Sequence, residues 1–303
     1  MMELTDFQQR ITPLLGEIEL RFFEPMHKHT SFRIGGDAEV MAFPRSREEL
    51  AHILKTSVLL DIKPAILGAG TNILAPDEGI AGLVICLKDC LSGIEQLDES
   101  RIRVMAGVTM TRAAVYAANL SLSGMEFAHG IPGSIGGGVF MNAGAYGGEI
   151  KDICESVEVM DMAGNLRVFT AEQMGFSYRH SVLDETDGIV VSAVFALDKK
   201  PEADIRARMK ELQAKRTASQ PLDLPSAGSA FKRPQGGFAA ALIDQAGLKG
   251  FAVGDAAISE KHAGFAVNLG NATAADMRSL LTQVSDIVFE KSGIRLEPEV
   301  RIW

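Results

Sequence analysis

Three cysteines, Cys86, Cys90 and Cys154, are too few and too irregularly spaced in 303 residues for a disulfide framework, so a reducing compartment suits the chain. Cys86 and Cys90 form a Cys-x3-Cys pair, but the absence of a second pair and of a nearby histidine argues against a zinc site. Positive charge is short too: 30 lysines and arginines against 39 acidic residues leave a formal net charge of −9. A nucleic-acid partner would need a basic face, so that class is set aside. Long apolar runs are missing. The longest, Ile189 to Leu197, is interrupted by Ser192 and reads as a buried strand, far short of a membrane span. The amino terminus carries Glu3 and Asp6 where a secretory signal would begin with basic residues. No Gly-Lys-Ser/Thr occurs, which removes a Walker loop. These shortages leave a cytoplasmic globular protein of about two domains, with no metal, no nucleic acid and no membrane insertion.

Glycine, by contrast, is concentrated. Eight of the nineteen residues from Gly130 to Gly148 are glycine. Glycine loses more backbone freedom on folding than any other residue, so such a run is tolerated where the chain must reach positive φ or let another group lie flush against its amides. An extended polyanion such as a dinucleotide is one such group, and a turn-rich link between strands is the plainer alternative. Asn142 is the run's only side-chain amide, and Ser134 its only hydroxyl besides Tyr146. A second glycine turn, Gly68-Ala69-Gly70-Thr71-Asn72-Ile73, follows the apolar Pro64 to Leu67. It begins like a dinucleotide fingerprint but has Ile73 at the third glycine position, and Pro76-Asp77-Glu78-Gly79 turns at once where a helix should follow. Two glycine segments sixty residues apart are therefore expected to clasp one ligand from two sides.

Periodicity places helices over Ser46 to Leu60, Thr111 to Ala118, Pro201 to Lys215, Phe238 to Ala246 and Thr273 to Ser292. Ser46 with Glu49 is expected to form a capping box, with Leu50, Ile53, Leu54 and Val58 on one buried face. In the helix from Pro201, Ile205, Met209 and Leu212 form the buried stripe. Strands are expected at Pro64 to Leu67, Gly82 to Leu87, Arg101 to Ala106, Ser156 to Met162, Leu166 to Phe169, Ile189 to Leu197 and Ile294 to Ile302. Gly164-Asn165 marks a hairpin. The class is α+β, with a boundary near residue 200.

Leu67-Gly68-Ala69-Gly70-Thr71-Asn72-Ile73-Leu74, the run from Gly130 to Gly136 and Asn142-Ala143-Gly144-Ala145-Tyr146-Gly147 resemble the flavin domain of the UDP-N-acetylenolpyruvoylglucosamine reductase family. Tyr178-Arg179-His180-Ser181, Ala227-Gly228-Ser229-Ala230-Phe231-Lys232 and Leu296-Glu297-Pro298-Glu299-Val300-Arg301 match in the same order, so the resemblance covers about residues 29 to 302. It implies a two-lobed FAD-binding domain of the vanillyl-alcohol-oxidase type over 1–199, split near 85, and a small α/β domain for a UDP-sugar over 200–303. It implies FAD contacts at Gly68, Ala69, Gly70, Thr71, Asn72 and Ile73, and at Gly130, Ile131, Pro132, Gly133, Ser134, Gly137, Asn142, Gly144 and Ala145. NADPH would reduce FAD, leave, and be replaced by UDP-N-acetylglucosamine enolpyruvate, giving UDP-N-acetylmuramate for bacterial peptidoglycan. Relatives that tether FAD often carry Arg-x-Gly-Gly-His; here Arg33-Ile34-Gly35-Gly36 is followed by Asp37, so the flavin is expected to be non-covalent.

The same resemblance makes Arg179, Ser229 and Glu299 the catalytic set. Hydride addition to the enolpyruvyl CH2 drives charge into the adjacent carboxylate, which a planar guanidinium suits; a hydroxyl then protonates the other carbon. Read alone, Arg179 fits a surface ion pair and Ser229 a turn, and strand spacing does not choose between Glu297 and Glu299. Lys232, Arg233 and Lys249 are candidates for diphosphate or carboxylate, and equally for solvated charges. Arg233 departs from the Asn of one branch of the family. The short, tyrosine-free stretch from Arg179 to Ser229 resembles the subclass without a tyrosine-bearing loop, which leaves uridine contacts and oligomeric state open. His262 is more often a structural histidine. Two other functions stay in view: a sugar or alcohol oxidase on the same fold, which would want a histidine or tyrosine base, and a nucleotide-binding module without catalysis.

Overall fold

A computed structural model of the chain describes residues 4–88 and 90–303, with Glu3 outside them. The chain forms two compact units that do not follow a single cut. The first takes residues 4 to 23, Glu39–Ala69 and Ala81–Ala214; the second takes Glu24–Ala38, Gly70–Ile80 and Lys215–Trp303.

In the first unit a four-stranded sheet runs in the order Glu19–Pro25, Asp37–Phe43, Ile80–Cys86, Ala65–Leu67, the last pair being parallel. Helices Asp6–Leu15 and Arg47–Leu59 cover it, burying Ile11, Leu15, Leu50, Ile53 and Leu54 against Val40, Leu83 and Ile85. Each such side chain contributes about 1.5–3 kcal/mol on leaving water. The helix from Arg47 departs from expectation in two details. Ser46 accepts from the Glu49 N–H, but the Glu49 carboxylate accepts from the Arg45 N–H at 2.6 Å, so only half the capping box forms. Val58 is exposed and Ser57 takes its place inside, because seven residues bring a helix back to the same face more closely than eight. The Ser57 hydroxyl donates to the Ile53 carbonyl, which makes that burial tolerable.

A five-stranded antiparallel sheet follows in the order Leu166–Thr170, Cys154–Met160, Ile189–Ala196, Arg101–Met105, Ile94–Gln96. The middle strand is buried along all but its last residue, matching its unbroken apolar sequence. The expected hairpin joins Met160 to Leu166, with the Asp161 carboxylate accepting from the Ala163 and Asn165 N–H groups and Gly164 at φ +79°. Helix Met110–Asn119 lays Ala113, Ala114, Ala117 and Ala118 into the core, where small side chains let it lie close. Helix Glu202–Ser219 buries Ile205, Met209 and Leu212, as its pattern predicted.

The second unit is built on the antiparallel sheet Ser226–Ser229, Phe265–Asn268, Ala256–Ile258, Ala252–Val253. Helices Ala239–Gln245 and Ala274–Ser292 share its core. The long helix opens with a complete Thr273–Asp276 capping box and ends at Gly293 in the left-handed region. Its first free N–H groups, on Ala274 and Ala275, donate to the Asp77 carboxylate at 2.7 and 2.9 Å. The expected last strand shrinks to Arg301–Ile302, parallel to Ile73–Leu74. Pro298 has no N–H to offer a ladder, so residues 297–299 make an irregular pairing with residues 230–232. Among the described residues no helix is long and apolar enough to cross a membrane.

Candidate active site

The two glycine segments meet within the first unit at Gly68 and Ser134. A Cβ built on Gly68 would lie 3.0 Å from the Ser134 hydroxyl oxygen. Ser134 is buried and caps the six-residue helix Ile135–Phe140, accepting from the Gly137 N–H at 3.5 Å. Main-chain bonds from Met110 to Gly133, Ile135 to Val108 and Gly136 to Ala106 fix the entry to that helix. The middle of the run is thus helical.

The glycines of the run divide by what surrounds them. At Gly136, Gly138, Gly144 and Gly148 an added Cβ would lie 3.0 Å from Ala106 Cβ, 2.7 Å from Met110 Sδ, 2.7 Å from the Gly148 carbonyl and 2.7 Å from the Phe127 ring. Protein fills those places. Around Gly137 the nearest atom is Ser134 Oγ at 3.7 Å, and around Gly147, at φ +88°, nothing lies within 4 Å. Gly130 and Gly133 stand at φ +85° and +142°, open to glycine and disfavoured for other residues.

Asn142 is fully buried at φ +43°, a conformation asparagine tolerates better than most residues. Its amide nitrogen donates to Glu149 Oε2 at 2.6 Å and to the Ser177 carbonyl at 2.9 Å, while its oxygen accepts from the Lys151 N–H at 2.9 Å. Its side chain faces protein on every side. Ser177 begins the tight turn that carries Arg179, closed by reciprocal main-chain bonds between Ser177 and His180. Arg179 sits at φ +56°, lies 5.1 Å from the Tyr178 ring centroid, and donates from Nη2 to the Gly144 carbonyl at 3.3 Å.

In the second unit, Gly70 stands at φ +64° where a Cβ would collide with the His29 carbonyl. The Ser31 N–H donates to the Gly70 carbonyl at 3.0 Å, and the buried Ser31 hydroxyl has no hydrogen-bond partner among the described residues. Nothing in the sequence singled Ser31 out. Asn72 donates from its side chain to the Glu299 carbonyl at 3.2 Å, and its own carbonyl accepts from Arg301.

Ser229 and Glu299 are brought to one sheet edge. The Glu299 N–H donates to the Ala230 carbonyl at 2.9 Å, and the Lys232 N–H to Glu297 at 2.8 Å. Ser226 pairs with Val267 but Ser229 with Phe265, so three residues span what the partner strand covers in two. Gly228, at φ +78° with nothing within 4 Å, makes this bulge possible and re-aims Ser229 into an exposed position. Glu297 is an exposed carboxylate 3.4 Å from Lys232 Nζ, whereas Glu299 is half-buried. Arg233 stacks on Phe238 and donates to the Gly237 carbonyl, and Lys249 pairs with Asp244 at 3.2 Å. His262 is half-buried beside Phe265, its Nδ1 accepting from the Gly264 N–H at 3.1 Å. Burial, aided by the charge of Lys249, holds its pKa below the usual imidazole range.

The open positions at Gly137 and Gly147 fit a flat, polar cofactor laid against backbone. Two family models match the chain. Residues 38–170 match an FAD binding domain, and residues 220–303 match the C-terminal domain of UDP-N-acetylenolpyruvoylglucosamine reductase. The fold and site are those of an FAD-binding protein. The reductase of that name from Agathobacter rectalis is 45% identical, with 98% of each chain covered. The one from Caldanaerobacter subterraneus subsp. tengcongensis is 44% identical over 97% of this chain and 96% of its own. The crystal structure of the Thermus caldophilus reductase superposes with a TM-score of 0.78 at 36% identity, covering 95% of this chain and 99% of that one. The chain belongs to the UDP-N-acetylenolpyruvoylglucosamine reductase family.

Proposed function

We propose that this chain reduces UDP-N-acetylglucosamine enolpyruvate to UDP-N-acetylmuramate in bacterial peptidoglycan precursor synthesis, with NADPH as reductant and a non-covalent FAD, in the cytoplasm. Near-complete coverage by relatives bearing the reductase name supports the activity. Bound FAD would supply the hydride carrier between NADPH and the substrate's CH2 carbon. In a domain of the vanillyl-alcohol-oxidase type, Gly68, Ala69, Gly70, Thr71, Asn72 and Ile73 and Gly130, Ile131, Pro132, Gly133, Ser134, Gly137, Gly144 and Ala145 would hold it. The cofactor domain corresponds to 1–199 and the substrate domain to 200–303, a functional division that the compact units cross at three segments, residues 24–38, 70–80 and 200–214.

Hydride addition leaves an electron pair shared between the neighbouring carbon and the carboxylate. Arg179 steadies that charge with two parallel N–H groups that stay protonated throughout. Ser229 delivers its hydroxyl proton to the carbon, and Glu299 orients donor and intermediate. Supporting the Ser229 and Glu299 assignments is the edge pairing of 230–232 with 297–299, which sets the Ser229 bulge beside the Glu299 backbone. The same geometry favours Glu299 over Glu297, whose carboxylate is exposed and engaged with Lys232. Lys232, Arg233 and Lys249 offer cationic contacts for diphosphate and carboxylate, each exchanging a weak surface partner for the substrate.

The test follows the two half-reactions. Purified protein should be yellow, bleach with NADPH under anaerobic conditions, and recover its colour when the enolpyruvyl substrate is added. Colourless protein that releases no FAD on denaturation would sink the proposal. Reoxidation by a simple carbonyl product of a sugar or alcohol, but not by the enol ether, would move the chain to the oxidase class.

A further inference from the structure

We infer that Asn142 is a positioning residue for Arg179 and not a contact of the cofactor; this rests on the proposed role of Arg179. The Arg179 turn is tied to the glycine run at three points. Asn142 Nδ2 holds the Ser177 carbonyl at 2.9 Å, Ser181 Oγ donates to the Phe140 carbonyl at 2.8 Å, and Arg179 Nη2 reaches the Gly144 carbonyl at 3.3 Å. Asn142 and Ser181 are both fully buried. They grip the chain two residues before and two after Arg179, whose φ of +56° a long side chain does not adopt without restraint. Such conformations persist where their surroundings over-determine them.

Asparagine is the side chain that meets every demand at this position. It tolerates φ +43°, gives two N–H donors and keeps one oxygen for the Lys151 N–H. Both nitrogen partners are pure acceptors and the oxygen partner is a donor, so the amide has one orientation. Glu149, itself paired with Lys151 Nζ at 2.7 Å, makes a charge-assisted bond that locks that orientation. Aspartate has no donor for Ser177 and would set a second carboxylate against Glu149. The run of glycines thereby does two jobs: its open positions suit a ligand, and its one amide fixes the geometry of a cation that acts on the substrate.

The experiment compares both half-reactions on FAD-loaded protein for Asn142→Ala, Asn142→Asp, Ser181→Ala, Arg179→Ala and the Asn142→Ala/Arg179→Ala double variant. Asn142→Ala should retain flavin and bleach with NADPH within about twofold of the parent, while reoxidation by the enol ether slows roughly 10- to 100-fold, the scale of a displaced catalytic group. In the Arg179→Ala background the same change should slow reoxidation less than about threefold, because the residues act as one unit. Asn142→Asp should recover part of its reoxidation rate as pH falls and its carboxyl gains a proton to donate. Ser181→Ala, which cuts the second tether with little change in volume, should show the same one-sided loss even if Asn142→Ala does not fold. Loss of bound FAD, equal slowing of both half-reactions, or additive losses in the double variant would overturn the inference. Unchanged reoxidation in Arg179→Ala would overturn the assignment of Arg179 beneath it, a separate and distinguishable failure.

Discussion

Glycine serves opposite purposes at the two places where the proposed chemistry depends on it. In the run from Gly130 to Gly148, four glycines stand where protein atoms already occupy the space of a Cβ. At Gly228 nothing lies within 4 Å, and the requirement is conformational: φ +78° makes the bulge that turns Ser229 outward. The first site is a packing problem and the second a backbone one. Glycine density is therefore no measure of ligand contact, since much of the run is glycine for the protein's own sake.

The comparison can be broken most sharply at Ser229. Ser229→Ala leaves the bulge intact but removes the proton, so reoxidation by the enol ether should fall about 10²–10⁴-fold while bleaching by NADPH is kept. Stopped-flow absorbance of the flavin reads both, and parallel slowing of the two steps would contradict the role. Next in size is Gly148→Ala, which drives a methyl into the Phe127 ring and should lower apoprotein stability by about 1–3 kcal/mol in urea unfolding. Gly137→Ala should do the reverse. This helical position is open, so alanine should stabilise the apoprotein by about 0.5–1 kcal/mol yet weaken FAD binding roughly tenfold, measured by flavin fluorescence. Parent-like FAD affinity in that variant would show that Gly137 faces no cofactor.

The smallest effect concerns His262. Its folded pKa is depressed, chiefly by burial, so below an unfolded value of about 6.5 the unfolded chain binds the extra proton first. Stability should then decline as pH falls from about 7 toward the depressed folded value, and level off below it. Replacing His262 with Gln should flatten that part of the profile; an unchanged slope would assign the acid sensitivity elsewhere.

Much of the fold was legible because period and capping are local. Helix Ala274–Ser292 announced itself through Thr273, Asp276, an apolar stripe and Gly293. The buried stripe of Ile205, Met209 and Leu212 was equally plain. Elements without a strong period were not. Helix Asp6–Leu15, whose Thr5–Gln8 box lies in the sequence, and the strands Glu19–Pro25 and Asp37–Phe43 went unread, and the expected strand from Ile294 dissolved around Pro298.

The sequence alone determined the class of the molecule, the spacing of its glycine turns and the ordered motifs that tie it to its family, because these are properties of neighbours along the chain. Only the tertiary structure decided which glycines face protein and which face open space. It also decided that Glu299 shares an edge with Ser229 while Glu297 pairs with Lys232. And it brought the Asn142 amide to the Ser177 carbonyl, thirty-five residues on. The reason is physical. A buried amide must satisfy its donors wherever the fold brings an acceptor, and no local pattern encodes which acceptor that will be.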